Sequence, residues 1–261
     1  MSSEPSAPGA PQPQSSLRRS LDLLWRGRTP ATKGPRPGLT LDQIVTTAIE
    51  VADTEGVDAL SMRRIARGLG VGTMTLYRYI PDKTVLLNLV MDRVSLPEPD
   101  RAGASPERSW REAIENDAWQ GRALYLRHPW LLQLNWARPA MGPNSVADVE
   151  RQLGGMRGLP FSDREKINLI TTVDAYVTGS VRQEIQYQRA TQETGLSDEE
   201  FWGITFPALE EAMESGQFPI LAQLDEDSFE GGWEETFAGG LAFLLDGIEL
   251  EVDRRHAGGA E

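Results

Sequence analysis

Cysteine is absent from the 261 residues, which excludes a disulfide framework, a thiol nucleophile and a cysteine-ligated zinc. Imidazoles are almost absent too. His128 and His256 are the only two, too few for a multi-histidine metal site and a poor basis for a Ser-His-Asp triad. No apolar run approaches the ~20 residues that span a bilayer. The Pro/Ser/Ala-rich N-terminus lacks the apolar stretch of a signal peptide. The expectation is a soluble, cytoplasmic chain with no membrane partner, no metal and no cofactor. Positive charge is also short, with 26 basic against 39 acidic side chains, a formal net charge of −13 and a pI near 4.7. Nucleic-acid-binding domains usually run basic, so the whole-chain sum argues against one. That sum hides a division. Residues 1–94 carry 12 basic and nine acidic side chains, for +3, whereas 95–261 carry 14 and 30, for −16.

Punctuation divides the chain into three parts. Residues 1–16 (MSSEPSAPGAPQPQSS) have too little apolar surface to offset ordering and are expected to be disordered. Residues 17–38 set six basic side chains against Asp22, a local +5, with Leu17, Leu21, Leu24 and Trp25 on one face of a short helix. Segment 1–38 is therefore read as a tail and basic arm. Thr40-Leu41-Asp42-Gln43 fits a capping box, and apolar residues at 41, 44, 45, 48, 49 and 52 follow with helical spacing up to Gly56. Shorter helices are expected over about 61–68 and 73–80, then one over 83–94 opened by Pro81-Asp82. A Pro-rich linker at 95–106 precedes further helices over 109–127, 129–136, 145–157, 163–190, 198–215 and 229–253. Ser162…Glu165 and Ser197…Glu200 supply capping boxes for two of these. No segment alternates with period two, so the fold class is all-α.

The string LSMRRIARGLGVGTMTLYRYI at 60–80 has the layout of a helix-turn-helix, whose second helix enters the major groove. Leu60, Ile65, Ala66 and Leu69 hold the two helices together, Gly70 suits a left-handed turn position, and Val71 and Leu76 plug the core. Thr73, Met74, Thr75, Tyr77, Arg78 and Tyr79 are left outside, hydroxyls and an arginine for phosphates and base edges and apolar atoms for a thymine methyl. Arg63 and Lys83 flank them. A helical hairpin with solvated basic residues would have the same pattern. Across 39–94, however, the chain closely resembles the DNA-binding domain of tetracycline-repressor (TetR) family regulators. The resemblance rests on Ala48, Glu55, Gly56, Ile65, Ala66, Leu69, Gly70 and Val71, then Thr75-Leu76-Tyr77, Tyr79, Lys83 and Leu86-Leu87. It implies phosphate contacts for Tyr77, Tyr79 and Lys83, and base contacts for Thr73, Met74, Thr75 and Arg78 together with Arg63.

The arm has several readings. Arg18, Arg19, Arg26 and Arg28 suit a minor-groove arm, but Leu17–Trp25 could instead pack on the body, stay solvated or lie on a membrane surface. In the acidic part, LRHPWLLQL, GPN and DAYVTGSVRQE resemble the effector-binding and dimerisation region of a subgroup common in antibiotic-producing actinobacteria. The resemblance implies a homodimer through helices 163–190 and 229–253. Trp233, Phe237, Leu241, Leu244, Leu245, Ile248 and Val252 form a matching apolar stripe, as a helix buried within one chain also would. Trp119, Arg122, Trp130, Gln133, Trp136, Asn144 and Tyr176 are candidate contacts for a large, partly apolar, ring-containing ligand. His128, before Pro129, reads as a cap or packing residue, which disfavours a magnesium-chelated drug. The expected protein has an N-terminal three-helix helix-turn-helix domain (39–94) and a larger C-terminal ligand-binding and dimerisation domain (95–261). It would be a repressor on a palindromic double-stranded operator, released by a small-molecule effector such as an antibiotic or its precursor, and controlling exporter or biosynthetic genes. The alternatives are an effector-independent DNA-binding regulator and, from another class, an all-helical enzyme.

Overall fold

Thr40 caps the helix Leu41–Glu55 as its sequence requires: its hydroxyl accepts from Gln43 N, and the Gln43 side chain accepts from Thr40 N at 2.9 Å. This helix is α2 in the computed structural model, which describes residues 13–27, 38–95, 109–134, 138–229 and 231–258. Among the described residues there are ten α-helices and no strand. They fall into two compact units, one ending at Ile170 and the next beginning at Thr171.

The first unit holds α1 (Pro13–Arg26), α2, α3 (Met62–Gly68), α4 (Thr73–Tyr77), α5 (Lys83–Val94), α6 (Trp110–Arg127) and α7 (Pro143–Gly155). Its core is drawn from α2 to α5, with Ile44, Ala48, Ile65, Leu76, Ile80 and Leu86 fully buried. Each buried Ile or Leu contributes roughly 1.5–3 kcal/mol, so this small head is held chiefly by packing. Trp130 and Leu131 join the same core from the turn after α6.

Three local expectations need correction here. Residues 13–16, expected to be disordered, form the first turn of α1, because Ser16 is buried and bonded to Asp82. The segment expected as a helix over 129–136 is a 3-10 turn, Pro129–Gln133, entered from His128, whose φ of −125° and ψ of 67° are not helical. The α-helical part of the third head helix stops at Tyr77, and Tyr79 and Ile80 close the turn through bonds to Leu76 O.

In the second unit, α8 (Asp163–Thr194) continues past residue 170 and is followed by α9 (Asp198–Glu214) and α10 (Trp233–Gly258). Here α8 and α10 are paired within one chain. The Tyr176 hydroxyl donates to Phe237 O at 2.7 Å, and the Tyr176–Phe237 and Tyr187–Trp233 rings lie 5.4 and 5.5 Å apart. Val173, Val177, Val181 and Ile185 are buried on α8, as are Phe237, Leu241, Leu245 and Val252 on α10. Four of the seven residues of the predicted apolar stripe are thus buried inside the chain, and the other three are half-buried. Another face of α10 leaves Phe243 80% and Leu250 73% exposed. This helix starts four residues later than expected, because Phe229 belongs to a 3-10 turn and Gly231 takes a φ of 129°.

Candidate nucleic-acid interface

The head presents α4 as a short rod set on the core by one residue. Ser61 caps α3 by accepting from Arg64 N at 3.1 Å. After α3 the chain reverses at Gly70, whose φ of 66° an L side chain rarely adopts. Val71 N then bonds back to Ala66 O, and α4 begins after Gly72. Leu76 is completely buried and turns the opposite side of α4 outward.

On that outward side Met74 is 76% and Tyr77 43% exposed. Arg78 is exposed at the C-cap, and Thr73 and Thr75 are half-buried. Arg63 on α3 and Lys83 at the start of α5 are exposed. Tyr79 differs from the rest, since it is largely buried with Ile80 in the core. Packing is therefore its main role in this arrangement, and the exposed set is smaller than the pattern suggested. Arg64, a neighbour of Arg63, is drawn aside by Glu55, with Nε 2.9 Å from Oε1. The hydrogen bond from Arg64 in turn holds the Glu55 carboxyl below its ordinary range.

The arm is a docked helix over the part that is described. Ser16, Ser20 and Leu23 on α1 are buried, while Arg18, Arg19 and Arg26 are exposed, Arg26 beside Asp22 at 3.2 Å. The helix packs, as one alternative had it, but through Ser16, Ser20 and Leu23 and not the expected Leu17, Leu21, Leu24 and Trp25 face, of which Leu17 and Trp25 are exposed; the arginines stay on the outer side. Arg28 lies outside the described residues, as does Trp136.

The candidate ligand residues differ in burial and in the partners they hold. Trp119 and Arg122 stand together on α6, the guanidinium 5.8 Å from the ring centroid. Asn144 is half-buried at the start of α7, and Gln133 is exposed. Trp130 is 2% exposed and its indole N–H donates to Asp53 on α2 at 2.6 Å, so it serves the head's core. Tyr176 is committed to Phe237 in the second unit, and burial pushes its hydroxyl above the usual tyrosine range. His128 caps α6, and its Nδ1 lies 2.6 Å from the same Asp53 oxygen, in keeping with a cap and packing residue.

Two carboxylates that the sequence did not single out join distant segments. Asp53 receives Trp130 and His128, and the buried Asp92 of α5 accepts from Ser145 N and Oγ at 3.0 Å each. Both positions look like ordinary polar sites on amphipathic helices, and their partners lie more than fifty residues away. Only the GPN string hinted at the second. Its Gly142 sits against Asp92 so closely that a Cβ would overlap the carboxylate.

Comparison with known proteins agrees with this architecture. Residues 44–90 match the bacterial regulatory proteins of the tetR family, and 102–252 match the tetracyclin repressor-like C-terminal domain. The chain is 44% identical over 240 residues to the HTH-type transcriptional repressor DrrR1 of Streptomyces coeruleorubidus, covering 92% of this chain and 88% of that one. An HTH-type transcriptional regulator of Saccharopolyspora erythraea is 31% identical over 216 residues, covering 82% and 86%. The TetR family protein ActR of Streptomyces coelicolor, solved in complex with actinorhodin, superposes with a TM-score of 0.62 at 27% identity, over 83% of this chain and 99% of that one. With a helix-turn-helix head, an all-helical body and matches across both, the chain belongs to the TetR family of bacterial transcriptional repressors, which are DNA-binding regulators and not enzymes.

Proposed function

We propose that the chain represses transcription as a homodimer on a palindromic operator in the cytoplasm, and that a small molecule releases it. The observation that carries the DNA reading is the outward face of α4. It offers Met74, Tyr77 and Arg78 to solvent while Leu76 alone anchors the helix. Arg78 and Thr75 suit base edges, Met74 a thymine methyl, and Tyr77, Lys83 and Arg63 the flanking phosphates. One such helix reads only a few base pairs, so a two-fold pair is needed for a longer, symmetric site.

The exposed Phe243 and Leu250 on α10 support a dimer seam, with Gly239 and Gly247 on the same helical face permitting close approach. On the effector side, Trp119 and Arg122 with Asn144 favour a ring-containing molecule with a polar edge. The likeness to ActR, solved with actinorhodin, supports a small-molecule effector. Release requires the effector to bind better to an arrangement of the heads that no longer fits successive major grooves.

The test is to select duplexes from a randomised pool with the full chain and measure binding of Tyr77→Ala and Arg78→Ala. Loss of specific binding by both, with sedimentation unchanged, is the expected result. Retained specific binding in both would mean that α4 is not the reading helix.

A further inference from the structure

α1 precedes both family-matched segments, and neither accounts for it. It is nevertheless tied into the first unit at three points. Ser16 Oγ donates to Asp82 Oδ2 at 2.9 Å, while Asp82 Oδ1 caps α5 by accepting from Val85 N. Asn88 Nδ2 of α5 donates to Ser20 Oγ at 2.9 Å, and Ser20 is fully buried. At the other end of α1, Trp25 Nε1 donates to Met141 O at 3.0 Å. The same loop holds the far end of α5, because Asp92 accepts from Ser145 across the tight Gly142. The start of α5, α1, the 141–145 segment and the end of α5 therefore close a hydrogen-bonded circuit.

We propose that α1 is a brace that couples the 141–145 segment to α5, the helix that follows the recognition helix. This regulatory role rests on the DNA-binding reading. The physical reason is the number of attachments. Core packing of Val85, Leu86, Leu89 and Val90 seats α5 on the head and Arg93 bonds to Asp42 of α2, but among these polar links only Asp92 reaches the 141–145 segment directly. Asp82 lies ten residues earlier, ~15 Å along the axis at 1.5 Å per residue, and a tie there fixes the direction of the rod. The turn holding Ile80, fully buried in the head, ends two residues before Asp82, so the direction of α5 sets the position of α4. Asn144, a candidate effector contact, lies between Met141 and Ser145. A displacement there reaches α5 by two routes, directly through Asp92 and through Trp25 and α1.

The full chain is compared with Trp25→Phe, which removes the indole N–H but keeps an aromatic ring, and Ser20→Ala, which removes the hydroxyl with little change in volume. Hydrogen exchange of the free protein is followed over 83–94 and 139–146, with α2 as internal reference. Affinity is measured for the duplex that the unmodified chain selects from a randomised pool. Both variants should exchange faster over 83–94 with α2 unchanged, and Trp25→Phe should also exchange faster over 139–146. Both should bind the duplex roughly 2- to 10-fold more weakly, the span over which losing one hydrogen bond moves an equilibrium; each removes one bond between α1 and a neighbouring segment, and Ser20→Ala also removes the bond to Ser16 O within α1. Unchanged exchange over 83–94 in both variants, an equal rise in α2, or faster exchange with unaltered affinity overturns the brace. If the unmodified chain selects no duplex, the DNA reading fails separately, and the exchange pattern still decides whether α1 restrains α5.

Discussion

Asp53 shows how much can depend on one oxygen. Its Oδ1 lies 2.6 Å from both Trp130 Nε1 and His128 Nδ1, and both partner residues are buried. Asp53→Ala removes the acceptor and leaves a buried indole N–H without it, a loss of about 1–3 kcal/mol. Urea unfolding should show the midpoint falling with little change in slope. A midpoint equal to that of the unmodified chain would show that water replaces the carboxylate. Gly240 is the opposite case, where the absence of a side chain is what matters. A Cβ there would press on the Tyr176 ring, which is fixed through its hydroxyl to Phe237 O. Gly240→Ala should therefore behave as an overpacked core substitution, costing about 1–3 kcal/mol. Near-ultraviolet circular dichroism should report the displaced Tyr176.

Among the elements, the pair α2 and α3 depends on a charged link that titrates. Arg64 holds the Glu55 carboxyl below its ordinary range, so the stability from this pair is present above the unfolded carboxylate pKa and lost as pH falls through the lowered folded value. Glu55→Gln should lower the thermal midpoint at pH 7, and the difference from the unmodified chain should shrink by pH 3. A constant difference across that range would assign the effect to packing. Sequence signals marked elements best where the signal is local. Thr40, Asp82 and Ser197 announced their helices through caps that are all formed, and Gly70 announced the turn through its φ. They did less well where a distant partner decides. Nothing in PQSS at 13–16 shows that Ser16 will meet Asp82, and composition alone read that stretch as unstructured. The site follows the same rule. The outward face of α4 was legible from helical spacing, whereas Trp130 looked like a ligand contact because its partner, Asp53, is far away in sequence.

For the whole molecule, charge and association are the relevant quantities. An acidic body beside a +3 head discourages unspecific contact with DNA and leaves affinity to a few placed cations. If Arg18 and Arg19, exposed on α1, touch phosphates, replacing both with alanine should make the log–log salt dependence shallower by roughly 0.9 for each phosphate no longer neutralised. An unchanged slope would leave them as solvent-facing charges. The dimer reading is open to a sharper test. Phe243→Glu with Leu250→Glu introduces charge on the exposed face of α10, away from the intrachain pairing with α8. Sedimentation should then give a folded monomer, and specific duplex affinity should fall with it. A doubly substituted chain that still sediments as a dimer would move the interface elsewhere.

The single anchor of α4 also bears on how such a regulator diversifies. Only Leu76 of its five residues is buried, so Met74 and Thr75, together with Arg78 just beyond, can be exchanged with little cost to the head. If α4 reads the operator, changes in preference there are uncoupled from changes in folding stability, and new specificities can be reached one side chain at a time.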